Sequence, residues 1–267
     1  MTNGIDGGVI DIPLIQLIIA YFFVLVLIII VRKQKIDKEK QIILAATRMT
    51  LQLVIVGFLL EYIFEMPHPG ITLLILLIME GFAIQNIFSR VSTELSFNMK
   101  KVTAISMFAG TVFTLFFFLI LVIGLSPWYY PRYFIPIAGM LIGNSMTGIS
   151  LGVEHLVNQI KKNPEKIEAA LMLGASPQQA TRQVANQAFY NAILPTVNSM
   201  IGMGIIFLPG MMTGQILSGV SPFLAIRYQI AIMMGILGAV TLTTYLLVKL
   251  GVKTYFNDRM QLTINND

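Results

Sequence analysis

Cysteine is absent from the 267 residues of the chain, and charged residues make up only 12% of them. The absence of cysteine excludes a disulfide framework, thiolate metal sites and cysteine nucleophiles. A soluble domain carries about 25% charged residues. The low charge, together with 56% hydrophobic residues and a mean hydropathy of +0.78, therefore points to a membrane protein. Intrinsic disorder is excluded because it requires low hydrophobicity and a high net charge.

Sequence motifs for nucleotide and zinc chemistry are absent as well. Neither G-x-x-x-x-G-K-[ST] nor H-E-x-x-H occurs, and His68 and His155 are the only histidines. The chain therefore has no phosphate-binding loop of its own, and we expect no cofactor in it. The net charge of +5 does not indicate a nucleic-acid partner, because basic loops that face the cytoplasm and the bilayer surface explain it.

Long apolar runs dominate what is present. Seven runs approach or exceed the roughly 20 residues that a spanning helix needs; they cover residues 9–31, 42–64, 71–88, 102–125, 134–156, 192–217 and 223–250. Clusters of lysine and arginine follow alternate runs, so the positive-inside rule places all of them on the cytoplasmic side. The sequence predicts an all-α integral membrane protein with about seven transmembrane helices, the N-terminus outside and the C-terminus in the cytoplasm. We expect one multi-pass domain over 1–267 in the plasma membrane, with the very apolar fourth run facing lipid.

The longest polar segment, residues 157–191, reads as two short helices joined by an elbow. Asn163 is a suitable N-cap for a helix that begins at Pro164. Gly174 suits the left-handed position that closes a helix. Ser176 and Gln179, with Pro177 between them, make a capping box that starts the next one. This pattern predicts a docking element between two spans, whereas a plain basic segment that only holds orientation is the alternative.

Three stretches resemble known transporter families. Residues 168–174, Glu-Ala-Ala-Leu-Met-Leu-Gly, resemble the EAA loop of ABC-transporter permeases. The strings IPIAGMLIGNSM at 135–146 and FLPGMMTGQILSGVSPFLAIRYQI at 207–230 resemble the FetB-like iron-export permease family. The resemblance implies a permease homodimer that exports metal, foremost iron, driven by separate ATPase subunits that bind ATP and Mg²⁺. It also implies that the ATPase is contacted by Glu165, Glu168, Ala169, Ala170, Gly174, Ser176 and Pro177.

Polar residues inside the apolar runs are the candidates for a substrate path. Ionisable groups at the centre of a span are costly and often functional. Glu80 lies near the centre of the third run, and we expect it to line the path with Gln52, Asn144 and Met146. Glu80 is also the candidate metal ligand. The alternative for Glu80 is a structural hydrogen bond between helices.

Glycine and proline have two distinct roles in the fifth and sixth runs. The pairs Gly139/Gly143 and Gly148/Gly152 have the spacing that lets helices approach closely, in a bundle or a dimer. Pro209, Gly210 and Gly214 interrupt the sixth run and predict a hinge or gate, with a left-handed backbone allowed at Gly210.

Other functions remain open at this point. An ion-coupled secondary transporter would use Glu80 as its proton or cation site. ABC export of another metal or of a small solute would use the same elbow. An integral-membrane enzyme is disfavoured because no catalytic constellation is present.

Overall fold

The computed structural model describes residues 5–6, 9–10, 12–91 and 93–263, and it is almost entirely helical. Within these residues, six helices are long and apolar enough to cross a membrane, which confirms the predicted all-α membrane class. The helices are α1 Leu14–Ala20, α2 Phe22–Lys33, α3 Glu39–Glu65, α4 Pro69–Arg90, α5 Phe97–Phe117, α6 Pro131–Lys162, α7 Pro164–Met172, α8 Pro177–Ala180, α9 Arg182–Gly202, α10 Gly210–Leu217 and α11 Pro222–Lys253. A π-helical segment, Phe118–Val122, extends α5, and two short strands, Ile5–Asp6 and Val9–Ile10, pair antiparallel ahead of α1.

The sixth predicted run differs from the others, because it is not one continuous helix. Helix α9 begins at Arg182, ten residues before the predicted start at residue 192, and ends at Gly202; α10 then covers Gly210–Leu217. Gly204 adopts a left-handed φ of +84° between them, and Pro209 has no N–H to continue a helical ladder. The count of seven spans and the side on which each terminus lies stay predictions; residues 1–4 and 264–267 lie outside the described residues.

The described residues form two compact units. The first comprises Met1–Pro67 with Gly210–Ala225, and the second comprises His68–Pro209 with Ile226–Asp267. In the first unit α2 packs on α3. The Tyr21 hydroxyl, at the junction of α1 and α2, hydrogen-bonds Thr50 Oγ1, and Arg32 Nε lies 3.6 Å from Glu39 Oε1. These contacts hold the first two predicted spans as a helical pair.

Helix α6 is the centre of the second unit, where it packs along α4, α5 and α9. The predicted close approach is confirmed for one of its two glycine pairs. A Cβ at Gly148 would lie 3.1 Å from the Ala192 carbonyl oxygen, and one at Gly152 would lie 3.4 Å from Ala192 Cβ. At Gly143 a Cβ would meet nothing within 4 Å. The pair Gly148/Gly152 therefore lets helices of this chain pack closely against one another.

The expectation that the fourth run faces lipid is wrong, because α5 contributes heavily to the core. Thr103, Ser106 and Thr111 on this helix are buried. Their small size lets neighbouring helices approach, and at Gly110 a Cβ would lie 2.9 Å from the Thr243 backbone nitrogen on α11. Threonine hydroxyls at 103, 111 and 114 each donate to the carbonyl four residues earlier, so burial leaves them satisfied.

Candidate functional site

The polar segment between α6 and α9 is shorter than predicted. Of the predicted linker 157–191, residues 157–162 belong to α6 and residues 182–191 belong to α9. The part outside these helices, residues 163–181, is called the elbow below. It contains α7 and α8, and each begins with proline at its first position, where the missing N–H costs no hydrogen bond. The predicted helix–elbow–helix is therefore present between two long helices.

One of the predicted elbow caps is correct in position but lacks the expected hydrogen bond. Asn163 is the N-cap residue of α7, and Pro164 follows it. The Asn163 side chain does not cap α7. Its Nδ2 instead donates to the Gln159 backbone oxygen at 3.1 Å and to Gln159 Oε1 at 3.1 Å. The side-chain amide of Asn163 therefore bonds to the last turn of α6. Helix α7 begins without a side-chain cap, at Pro164, whose φ is fixed near the helical value.

The turn at the centre of the elbow has the predicted chemistry. Gly174 has a φ of +88°, and its N–H donates to the Leu171 oxygen at 2.9 Å, while Ala175 N–H donates to the Ala170 oxygen at 3.0 Å. These two bonds are those of a Schellman motif. The Ser176–Gln179 capping box is complete, with the Ser176 N–H donating to Gln179 Oε1 at 2.8 Å. Both sides of the turn are thus held by specific hydrogen bonds.

The surface of the elbow divides into anchors and exposed groups. Ile167 and Pro177 are buried, and Ala170 and Ser176 are half-buried. Four of the seven residues that were predicted to contact a partner are exposed, namely Glu165, Glu168, Ala169 and Gly174. Anchoring one face fixes the elbow on the bundle and leaves the opposite face free.

Two large apolar side chains at the tip of the elbow were not among the predicted site residues. Met172 is 85% exposed and Leu173 is 89% exposed. At about 100° per residue, they point away from the face that carries buried Ile167. That helical period is the sequence signal that could have identified them. Adjacent exposed apolar residues on a well-formed turn are typical of a protein–protein contact.

Glu80 is a buried carboxylate of the second unit, with 2% of its surface exposed. The Thr111 hydroxyl on α5 donates to Glu80 Oε1 on α4. Glu80 Oε2 has no hydrogen-bond partner among the described residues. The hydroxyls of Ser106 on α5 and Ser145 on α6 are likewise buried without a partner there. The second unit therefore holds buried oxygen atoms without a hydrogen-bond partner on three helices, α4, α5 and α6.

The other predicted path residues do not join Glu80. Asn144 is exposed, and its Nδ2 donates to the Met140 oxygen of its own helix at 2.8 Å. Met146 is half-buried, and Gln52 on α3 is exposed. In the described part of the chain, no group of three or more His, Cys, Asp or Glu side chains is arranged to hold a metal ion. The roles of these residues in a path, and of Glu80 as a metal ligand, stay predictions.

The predicted hinge lies at a real interruption in the helical backbone, with a different glycine in the left-handed conformation. Gly210 is the first residue of α10, and Gly214 lies within that helix. Among the described residues between α9 and α10, the positive φ is at Gly204, whereas Gly210, where a left-handed backbone was allowed, begins a helix. The Gly204 N–H donates to the Phe207 oxygen at 2.9 Å. A tight turn therefore follows the end of α9 and precedes Pro209, and its movement as a gate stays a prediction.

Comparison with known proteins places these features in a family. The model of the "Uncharacterised protein family (UPF0014)" matches residues 14–256. The chain belongs to this family. It is 33% identical to the "Probable iron export permease protein FetB" of Escherichia coli strain K12, over 93% of this chain and 94% of that one. It is 36% identical to the "Protein ALUMINUM SENSITIVE 3" of Arabidopsis thaliana, over 91% of this chain and 87% of the relative.

A third relative extends the match to nearly the whole length. The "UPF0014 membrane protein YjkA" of Bacillus subtilis strain 168 is 33% identical over 94% of this chain and 98% of its own. No solved structure matches the chain. Together with the six long apolar helices, these matches identify this UPF0014 member as a multi-pass membrane protein of a permease family.

Proposed function

We propose that this UPF0014 protein is the membrane subunit of an ABC transporter that exports a metal ion, foremost iron, from the cytoplasm. The observation that carries the proposal is the elbow, whose exposed Met172 and Leu173 lie beside the ordered turn at Gly174. Support for the cargo comes from the 33% identity to a relative named as a probable iron export permease. ATP and Mg²⁺ are bound by the partner ATPase, and two copies of the permease pair with two ATPase subunits.

The elbow is suited to pass movement from an ATPase into the membrane. The elbow follows α6 directly. Its first residue, Asn163, is tied to the end of that helix by the hydrogen bond from its Nδ2 to the Gln159 oxygen. On its other side, the Thr181 hydroxyl donates to the Pro177 oxygen at 2.7 Å, immediately before α9. Because α6 and α9 pack closely at Gly148 and Gly152, a push on the elbow tilts both helices together. The acidic groups at Glu165 and Glu168 add charge complementarity to a basic groove.

Glu80 supplies the chemistry for a cationic substrate in this proposal. Carboxylate and hydroxyl oxygens suit hard cations, whereas thioethers suit soft ones. The partnerless Glu80 Oε2 is available to a passing ion, and the hydroxyls of Ser106 and Ser145 are two further oxygen donors in the same unit. Gln52, Asn144 and Met146, which are exposed or half-buried, belong to the same proposed path.

The decisive experiment measures ATPase binding and transport with altered elbow tips. The double substitution Met172→Ser and Leu173→Ser should abolish co-purification of the ATP-binding-cassette subunit and ATP-driven export of iron from vesicles. Met260→Ser is the matched control, because Met260 is also exposed, at 63%, and lies outside the elbow. Retention of ATPase binding by the double variant would contradict the docking role.

An ion-coupled secondary transporter is the second candidate, and the buried Glu80 with a partnerless oxygen favours it. Flux driven by an imposed ion gradient, without ATP and without any ATPase subunit, would support this candidate instead. ATP-dependent flux of another metal or of a small solute, with none for iron, would retain the ABC assignment and replace the substrate.

A further inference from the structure

A cavity of about 540 Å³ lies where four helices of the second unit begin or end. Its walls come from the end of α4, the first turn of α5, the last turn of α6 and the segment after α11. Its polar lining includes Thr93, Glu94, Ser96, Lys100, Lys161 and Thr254. The ends of membrane-spanning helices lie at the level of lipid headgroups, so this is an interfacial cavity.

Positive charge predominates in the cavity. Lys100 on α5 and Lys161 on α6 reach it from different helices, against the single carboxylate of Glu94. Neither lysine has an ion-pair partner in the part of the chain that the structure describes. The start of α5 adds the partial positive charge of a helix N-terminus. Two ammonium groups against one carboxylate give the cavity lining a net positive charge, which favours an anion.

A tyrosine and an apolar wall complete the lining. The hydroxyls of Thr93 and Thr254 are already used, because they donate to Asn158 Oδ1 and to the Gly251 oxygen, each at 2.8 Å. Tyr255, which follows α11, is buried, and burial raises its pKa to about 12, so its hydroxyl keeps its proton at neutral pH. Phe88 and Phe97 form part of the wall, and Phe97 is 81% exposed. Positively charged lysines beside aromatic side chains match an amphiphile that has an anionic headgroup and apolar chains.

We propose that this cavity binds a phosphate group through Lys100 and Lys161, and that the phosphate belongs to the headgroup of an anionic phospholipid. Basic pockets between transmembrane helices are a recognised way of holding such headgroups. The bound lipid would brace the last turn of α6, immediately before the elbow. The site is independent of the transport function proposed above, because lipid binding needs neither an ATPase nor a transported ion.

Native mass spectrometry of the purified full chain tests the proposal by titration with phosphatidylglycerol and, separately, with phosphatidylcholine. The test variant is Lys100→Gln with Lys161→Gln. The matched control is Lys162→Gln with Lys253→Gln, which removes two exposed lysines from the ends of α6 and α11 outside the cavity lining. Melting curves establish that both variants stay folded. A parallel calorimetric titration with inorganic phosphate separates a soluble anion from a lipid.

The expected result is preferential binding of phosphatidylglycerol that weakens about thirtyfold in the test variant, the factor that two lysines contribute at an anionic surface. The control should bind almost as the unaltered chain does. Binding of inorganic phosphate that is lost in the test variant alone would support the phosphate site and assign it to a soluble anion. Equal lipid and phosphate binding by the two variants would overturn the proposal, as would equal affinity for both lipids.

Discussion

Thr111 on α5 and Glu80 on α4 are joined by a hydrogen bond, which Thr111 Oγ1 donates to Glu80 Oε1 in the core of the second unit. Thr111 Oγ1 also lies 2.7 Å from the Met107 carbonyl oxygen. A hydroxyl has one hydrogen to donate, so it cannot fully satisfy both oxygens at once. Glu80 Oε2 has no partner among the described residues, so the carboxylate is held through one of its two oxygens only.

Glu80→Gln tests whether this charge serves transport. The amide keeps the size of the side chain and still accepts from Thr111, so the protein should fold. If Glu80 ligates a transported cation, iron flux should fall about tenfold or more. The measurement is iron flux into inverted vesicles with ATP added to the outside. Glu61→Gln is the control, because Glu61 is an exposed carboxylate on α3. Unchanged flux in Glu80→Gln would assign Glu80 to a purely structural contact.

Thr111→Val tests the contribution of the hydrogen bond to stability. Valine keeps the shape of threonine but leaves Glu80 buried without a donor, at a cost of about 1–3 kcal/mol. Thr111→Ser retains the hydroxyl and should lose less. Thermal unfolding in detergent at fixed lipid content compares the two variants. Equal stability of the valine and serine variants would show that the hydroxyl contributes little.

Gly174→Val tests the turn of the elbow. Its φ of +88° disfavours any residue with a Cβ, and a Cβ there would meet nothing within 4 Å, so the strain comes from the backbone alone. β-Branched residues are the least compatible with positive φ, and the cost is about 1 kcal/mol or more. We expect a membrane-inserted protein that no longer stimulates its ATPase, measured as coupled ATP hydrolysis.

Gly219→Val is the matched control for the elbow turn. Gly219 has a φ of +90° and equally open surroundings, but it lies in the turn before α11. It should lose similar stability and keep ATPase stimulation. Loss of stimulation in both variants would mean that general destabilisation, rather than the elbow, explains the effect.

Gly148→Ala tests the close approach at the centre of the bundle. A Cβ there would lie 2.8 Å from Val240 Cγ1 and 3.1 Å from the Ala192 oxygen. Overpacking of this kind costs about 1–3 kcal/mol. Gly143→Ala, on the same helix with no atom within 4 Å, should be neutral or stabilising because alanine favours helix. The melting temperatures of the two variants are compared, and we expect the lower value for Gly148→Ala. Equal values would contradict the packing argument.

Single cysteines test the predicted sidedness, and the absence of natural cysteine provides a clean background. Glu65→Cys and Ser218→Cys, at exposed positions, should react with an impermeant thiol reagent applied to intact cells. Lys166→Cys, in the elbow, should react only after the cells are opened. The prediction follows from the side on which the basic clusters lie. Labelling in the reverse order would place the elbow outside and remove the basis for ATPase docking.

Local sequence determined the membrane-helical class and the turn chemistry of the elbow. Apolar length alone decides whether a segment can cross a bilayer. Gly174 and the Ser176–Gln179 pair act through hydrogen bonds between residues a few positions apart, so their outcome follows from spacing. The position of Asn163 as N-cap followed from its place before Pro164, but its side chain is turned towards Gln159, to which Nδ2 donates, and makes no cap bond.

Only the tertiary structure decided which faces of the helices are buried. In a bilayer both lipid and protein are apolar, so hydropathy does not separate a lipid-facing helix from a core helix, and α5 was assigned to the wrong group. The pairing of Glu80 with Thr111 depends on how α4 and α5 are rotated about their axes, a property that long-range packing sets. Leu173 is exposed and Ile167 is buried, and this difference is likewise set only when the elbow is anchored on the bundle. Sequence therefore determined what the segments are, and packing determined which of their polar atoms meet.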